Sequence, residues 1–184
     1  MIFLKLPESP QFTLERIVQS LYDVVPNICR IVNSLIDYAQ YQVTLKVDVV
    51  NNNAVADTIA DVTGLTFQVT AGGVYWFEAQ IPYTSAATTT GSRWSVTGPA
   101  APTMLNYTSR YPLTATTETF NYATAYDIPA ASNATSLTAG NVALICGFIK
   151  PSVTGVVTIR FASEVAGSAI TAKAGSFLRW QRVQ

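Results

Sequence analysis

The 184-residue chain is 49% hydrophobic but only 12% charged, where an average soluble domain carries roughly twice that charge. Thr, Ser, Ala and Gly fill the space, a surface suited to cover by copies of itself or by partners. Eleven basic and eleven acidic residues cancel, so no long-range attraction to nucleic acid or anionic lipid is expected.

The absence of histidine removes the commonest general base and the commonest transition-metal ligand. The catalytic Ser-His-Asp and Cys-His arrangements are excluded with it, and no cofactor or metal site is expected. Cys29 and Cys146 lie far apart among apolar residues and read as buried, inert thiols. Met1 to Pro7 is too quickly interrupted to read as a signal peptide. No apolar run approaches the roughly 20 residues needed to cross a bilayer, so no membrane partner is expected.

From about Phe12 to Gln40 the hydrophobic period is helical. Leu14, Ile17, Leu21, Val24, Ile28, Ile31, Leu35 and Tyr38 form an unbroken heptad series at positions a and d. Val18, Val25 and Val32 fall on e and widen the stripe, while Arg16, Asp23, Arg30 and Asp37 occupy c and face water. Apolar e positions and Leu at a with Ile at d lean away from dimers, towards a higher-order bundle or a helix laid on another surface. An amphipathic helix packed on its own domain is the plainer alternative. Pro26 falls on the outer f position and removes a helix hydrogen bond. Two short helices are therefore expected over one kinked helix.

After Gln40 the period changes to two. Val43, Leu45, Val47 and Val49 alternate with polar residues as one half-buried strand, and Asn51-Asn52-Asn53 reads as a turn. Leu65, Phe67 and Val69 alternate again. Ala71-Gly72-Gly73 then reads as a tight hairpin. The return strand, residues 74–84, puts Tyr75, Phe77, Ala79, Ile81 and Tyr83 on one face. Pro82 marks an edge or a strand end. A short strand follows at 93–97, stopped by Gly98-Pro99.

Residues 100–140 lose the pattern, but Tyr107, Tyr111, Phe120, Tyr122 and Tyr126 predict an ordered, packed excursion. Residues 142–150 are almost continuously apolar, as in a strand buried on both faces. Val157, Ile159 and Phe161 alternate with Thr158 and Arg160, and further strands are expected at 169–172 and 177–183. Arg179 and Arg182 flank Trp180 as the polar edge of the last strand. Many short strands with regular turns predict an all-β sandwich. The expected fold is mainly β, an antiparallel jelly-roll sandwich (42–184) with a short helical N-terminal segment (1–41).

Three stretches carry a family resemblance. They are Leu65-Thr66-Phe67-Gln68-Val69 through Ala71-Gly72-Gly73 to Tyr75-Trp76-Phe77-Glu78; Gly91-Ser92-Arg93-Trp94 leading to Gly98-Pro99; and residues 157–165 with Ala174-Gly175-Ser176-Phe177-Leu178-Arg179. Together they resemble the trimeric jelly-roll domains of phage virion proteins, built like the tumour-necrosis-factor fold. The resemblance covers roughly 62–184 and rests on texture and turn placement. It implies a bacteriophage virion protein, assembled in the host cytoplasm. The form implied is a homotrimeric capsid decoration, cement or head-fibre protein. Its N-terminal part would dock on other phage structural proteins, the major capsid protein first among them. The alternative is a receptor-binding fibre tip recognising a host surface glycan or protein. Trp76 and Trp94 are the candidate surface-binding aromatics, against a plainer reading as core or interface residues. An enzymatic reading would need two of Glu78, Glu118, Asp127 and Glu164 to converge; structural carboxylates are expected instead, Glu164 with Arg160, Arg93 or a neighbouring subunit as its partner.

Overall fold

The computed structural model describes residues 14–37, 39–114, 116–128 and 137–184. The chain divides into two compact units between Ala39 and Gln40, against an expected boundary after residue 41. The first unit holds one helix, α1 (Leu14–Asp37), with Pro26 inside it. The expected break into two helices does not occur. Pro26 lies on the polar face, where losing one N–H leaves the apolar stripe intact. Asn27 Nδ2 donates to the Asp23 carbonyl at 3.0 Å across the same turn.

The second unit is the expected antiparallel jelly-roll sandwich. Its strands are β1 (Gln40–Thr44), β2 (Val49–Asn51), β3 (Ala60–Val69), β4 (Tyr75–Ser85), β5 (Ser92–Thr97), β6 (Met104–Pro112), β7 (Glu118–Ala123), β8 (Asn141–Lys150), β9 (Gly155–Ser163), β10 (Ile170–Ala172) and β11 (Phe177–Arg182). The large sheet runs β1-β11-β4-β8-β6-β7, with β10 bridging β4 to β2; the small sheet runs β3-β9-β5. The chain changes sheet at β2 to β3, β3 to β4, β4 to β5, β5 to β6, β8 to β9 and β9 to β10, so sequence-remote strands become neighbours.

The core forms where the alternating faces meet. Tyr75, Phe77, Ala79, Ile81 and Tyr83 of β4 all point inward and are buried, as their period predicts. Phe67 of β3 packs against Phe77 (ring centroids 5.8 Å apart) and stacks on Trp180 at 5.3 Å. At the other end Trp94 stacks on Phe161 at 5.2 Å and meets Tyr83 at 5.0 Å.

Several local expectations are corrected. Ala71-Gly72-Gly73 is a turn between sheets and not a hairpin: β3 pairs with β9, whereas β4 pairs with β8, β11 and β10. Packing of Phe67 against Tyr75 and Phe77 across the core, at 6.4 and 5.8 Å, takes the place of a ladder between β3 and β4. The expected strand over 43–49 is two strands, because β1 follows β11 and β2 follows β10. Between them Leu45 exchanges backbone hydrogen bonds with Ser176 and Gly175 (2.7 and 2.9 Å), and Asp48 accepts from Lys173 Nζ and the Ala174 N–H.

Pro82 does not mark an edge. It sits inside β4, opposite Val142, where the other neighbour changes from β11 to β10. Its carbonyl accepts from the Lys173 N–H at 2.9 Å. The missing Pro N–H faces that same gap, where no ladder bond is required. Residues 142–150 are buried on one face only, with Val142 and Phe148 exposed on the other. The last strand is likewise interior: β11 lies between β1 and β4, and Arg179 pairs with Glu78 of β4. The unpatterned stretch 100–140 contributes β6 and β7 to the large sheet, so the aromatics there do mark ordered structure.

Candidate assembly interface

The helix presents the first candidate surface. Among the a and d residues, Leu21, Val24, Ile28 and Ile31 are 46–56% exposed, and Val18, Val25 and Val32 at e are exposed beside them. The side chains of Leu14, Ile17 and Leu35, and the whole of Tyr38, lie outside the described residues. Val18, Leu21, Tyr22 and Val25 sit at i, i+3, i+4 and i+7 and, with Pro26, line an open apolar groove of about 290 Å³. Four residues at that spacing are the hole into which a neighbouring helix inserts a knob. Cys29 falls on the outward b position and is exposed, which corrects its expected burial.

The outer face of the large sheet is the second. Here Trp76 lies under the Arg179 guanidinium, 5.5 Å from ring centroid to carbon, and Arg179 reaches Glu78 at 2.9 Å. Across the sheet, Thr108 faces Cys146 and Tyr122, and Arg110 faces Leu144 and Phe120. Phe120 and Tyr122 meet edge to face at 4.9 Å. Arg110 covers Phe120 at 5.7 Å and pairs with Glu118 at 2.6 Å. A groove lined by Asn106, Thr108, Tyr122, Thr124 and Phe148 runs across β6. Cys146 lies beneath it, and burial pushes its thiol pKa up.

Trp76 therefore lies on this surface, partly covered by Arg179. Trp94 does not. It is fully buried, and its indole N–H donates to Ser92 Oγ at 3.0 Å. Its position on the inward face of β5, between Tyr83 and Phe161, makes it core. The aromatics that sequence reasoning overlooked as surface residues, Phe120 and Tyr122, share a period-two face of β7.

The four candidate carboxylates are each held by an arginine. Glu78 pairs with Arg179, Glu118 with Arg110, Asp127 with Arg160 and Glu164 with Arg93, at 2.5–3.0 Å. No two of these four share an arginine. Arg93 also binds Asp57 at 3.1 Å, and Arg160 binds Asp61 at 2.8 Å. These pairs tie the loops carrying Asp57 and Asp127 to the small sheet. Asp57 and Asp127 both adopt positive φ, which aspartate accepts more readily than most residues.

No family model matches the chain, and no curated protein does. Among solved structures, Eiger TNF from S. frugiperda is 11% identical, with 80% of this chain and 94% of that chain covered and a TM-score of 0.39. A structure of the infectious bursal disease virus Gx strain is 9% identical, with 77% of this chain and 38% of that chain covered and a TM-score of 0.23.

Proposed function

We propose that this chain is a structural protein of a bacteriophage particle, a homotrimeric decoration, cement or head-fibre protein. In this reading the helical segment assembles the trimer and docks it on the capsid, and the jelly-roll sandwich is displayed. The observation that carries it is the apolar heptad face of α1, exposed from Val18 to Val32 in the single chain. Most of the stability of an amphipathic helix comes from packing of its apolar face, so such a stripe calls for cover. Copies of the same helix supply both knobs and holes for that cover. The sparse surface charge favours close contact, and three weak docking sites in one trimer bind by avidity. The resemblance in turn placement to phage virion jelly rolls supplies the setting. The chain acts by binding, since its candidate carboxylates are neutralised by arginines and it has no histidine.

The test is the mass of the full chain by light scattering, beside the double variant Leu21→Glu, Ile28→Glu. The expected result for the unaltered protein is the 19.8 kDa chain mass times three or a multiple of three. The variant, with two charges per helix in the seam, should lose two thirds of that mass. An unaltered mass in the variant would remove the helix from the assembly.

A receptor-binding role is the second reading. The groove between Tyr122 and Phe148, with neutral Asn106, Thr108 and Thr124 along it, suits the apolar face and hydroxyl rim of a neutral sugar. Saturable binding of a neutral host-surface oligosaccharide by the intact assembly would select it.

A further inference from the structure

The large sheet ends on β7, and among the described residues β7 has β6 as its one strand partner. The hairpin fixes which of its backbone groups are free. Leu113 N donates to the Thr117 carbonyl at 2.8 Å, which sets the hydrogen-bonded pairs of this ladder. Continuing by twos, Tyr111 with Thr119, Ser109 with Asn121 and Tyr107 with Ala123 exchange backbone bonds. The N–H and C=O of Glu118, Phe120 and Tyr122 therefore point away from β6, along the open edge. Their side chains share the outer face, with Phe120 52% and Tyr122 79% exposed.

Edge strands are ordinarily blunted by lysine, proline or a bulge. Residues 118–123, Glu-Thr-Phe-Asn-Tyr-Ala, contain neither residue, and the β6–β7 register is unbroken. This edge is also complementary to itself. Turned by a two-fold axis through Phe120, its outward groups fall in register: Phe120 meets its own counterpart, and Glu118 meets Tyr122. No like charges stand opposite each other, and Glu118 is already neutralised by Arg110 at 2.6 Å. A phenol opposite a carboxylate adds a hydrogen bond, and facing phenylalanines add an aromatic cross-strand pair.

We propose that a second copy of this chain adds across the β7 edge, antiparallel, so that two large sheets become one continuous sheet centred on Phe120. A two-fold contact here is independent of contacts made by α1. It doubles whatever assembly the helix forms and joins units side by side.

The test uses the full chain at fixed concentration, with mass read by light scattering. Phe120→Pro removes an outward N–H that β6 does not use, and proline is tolerated on an edge strand. Phe120→Lys keeps the backbone and sets two like charges face to face. Both should halve the mass while circular dichroism stays that of the parent. If Phe120→Pro fails to fold, Phe120→Lys alone decides. In a third variant, Phe120→Cys with Cys29→Ser, oxidation should link two chains on a non-reducing gel. A mass unchanged in Phe120→Lys, or no linked pair from Phe120→Cys, overturns the proposal. So does a heterologous extended peptide occupying the edge in the purified protein in place of a second copy.

Discussion

Replacing Gly147 by alanine probes how closely two neighbouring strands of the large sheet approach. Gly147 of β8 lies opposite Tyr107 of β6, in a non-hydrogen-bonded pair, where facing Cα atoms are closest. A Cβ there would stand 2.4 Å from the Asn106 carbonyl oxygen, 2.5 Å from Tyr107 Cβ and 2.7 Å from Tyr107 Cα. Two of these are backbone atoms and the third is fixed to the backbone, so no side-chain rotation relieves the overlap. β6 must move bodily, and it is held on its other side by β7. Overpacking in a core costs about 1–3 kcal/mol, and a rigid obstacle places Gly147→Ala near the upper end, about 3 kcal/mol. For a chain of this size that lowers Tm by about 6–12 °C. Thermal and urea unfolding at one protein concentration measure it. Trimming Tyr107 to alanine in the same chain should give no rescue, because the clash is with Cβ and Cα and not with the ring. A loss under about 0.5 kcal/mol, or a rescue by Tyr107→Ala, would refute the reasoning.

Two more predictions concern titration and thiols. Burial raises the Tyr107 and Tyr126 pKa values to about 12 and that of Tyr111 higher still. Since each is raised above its unfolded value near 10, the stability linked to these phenols is fully present below pH 10 and lost as pH climbs through 12. Phenolate absorbance should show these three ionising late, together with loss of circular dichroism; ionisation of all nine tyrosines before unfolding would contradict the packing. Cys29 is exposed, whereas Cys146 is partly buried with a raised pKa, so maleimide at neutral pH should label one thiol per chain quickly and the other at least tenfold more slowly. Equal rates would mean that the groove residues on the outer face do not shield Cys146.

The heptad of α1 and the inward face of β4 were legible because their periods are unbroken over many residues and each has one apolar side. Pro26 misled because its cost depends on which face it occupies, and on f the stripe continues past it. The strand β6 escaped notice although Leu105, Tyr107 and Tyr111 do alternate: Ser109, in the series, is buried too, and polarity hid its place in the core. Trp94 and Trp76 look alike in sequence. Only the pairing of β5 with β9 turns Trp94 inward onto Phe161, while the register of β4 turns Trp76 outward beneath Arg179. The split of 43–49 was beyond local reading, because it is imposed by the turn at 173–176 more than a hundred residues away.

The pairing of β1 with β11 has a consequence for how the chain is made. The first strand of the sandwich finds its place only after residues 177–181 exist, since Gln40 to Thr44 lie against them alone in the ladder. Such long-range closure is slow compared with helix formation. During synthesis the helical segment therefore emerges first and waits, tethered to a chain that has not yet closed. Its sticky face and the sandwich are completed at different times, and nascent neighbours on one messenger meet helix first. Order of birth thus completes the helix before the sandwich, and a slow final strand becomes a clock that separates the two events.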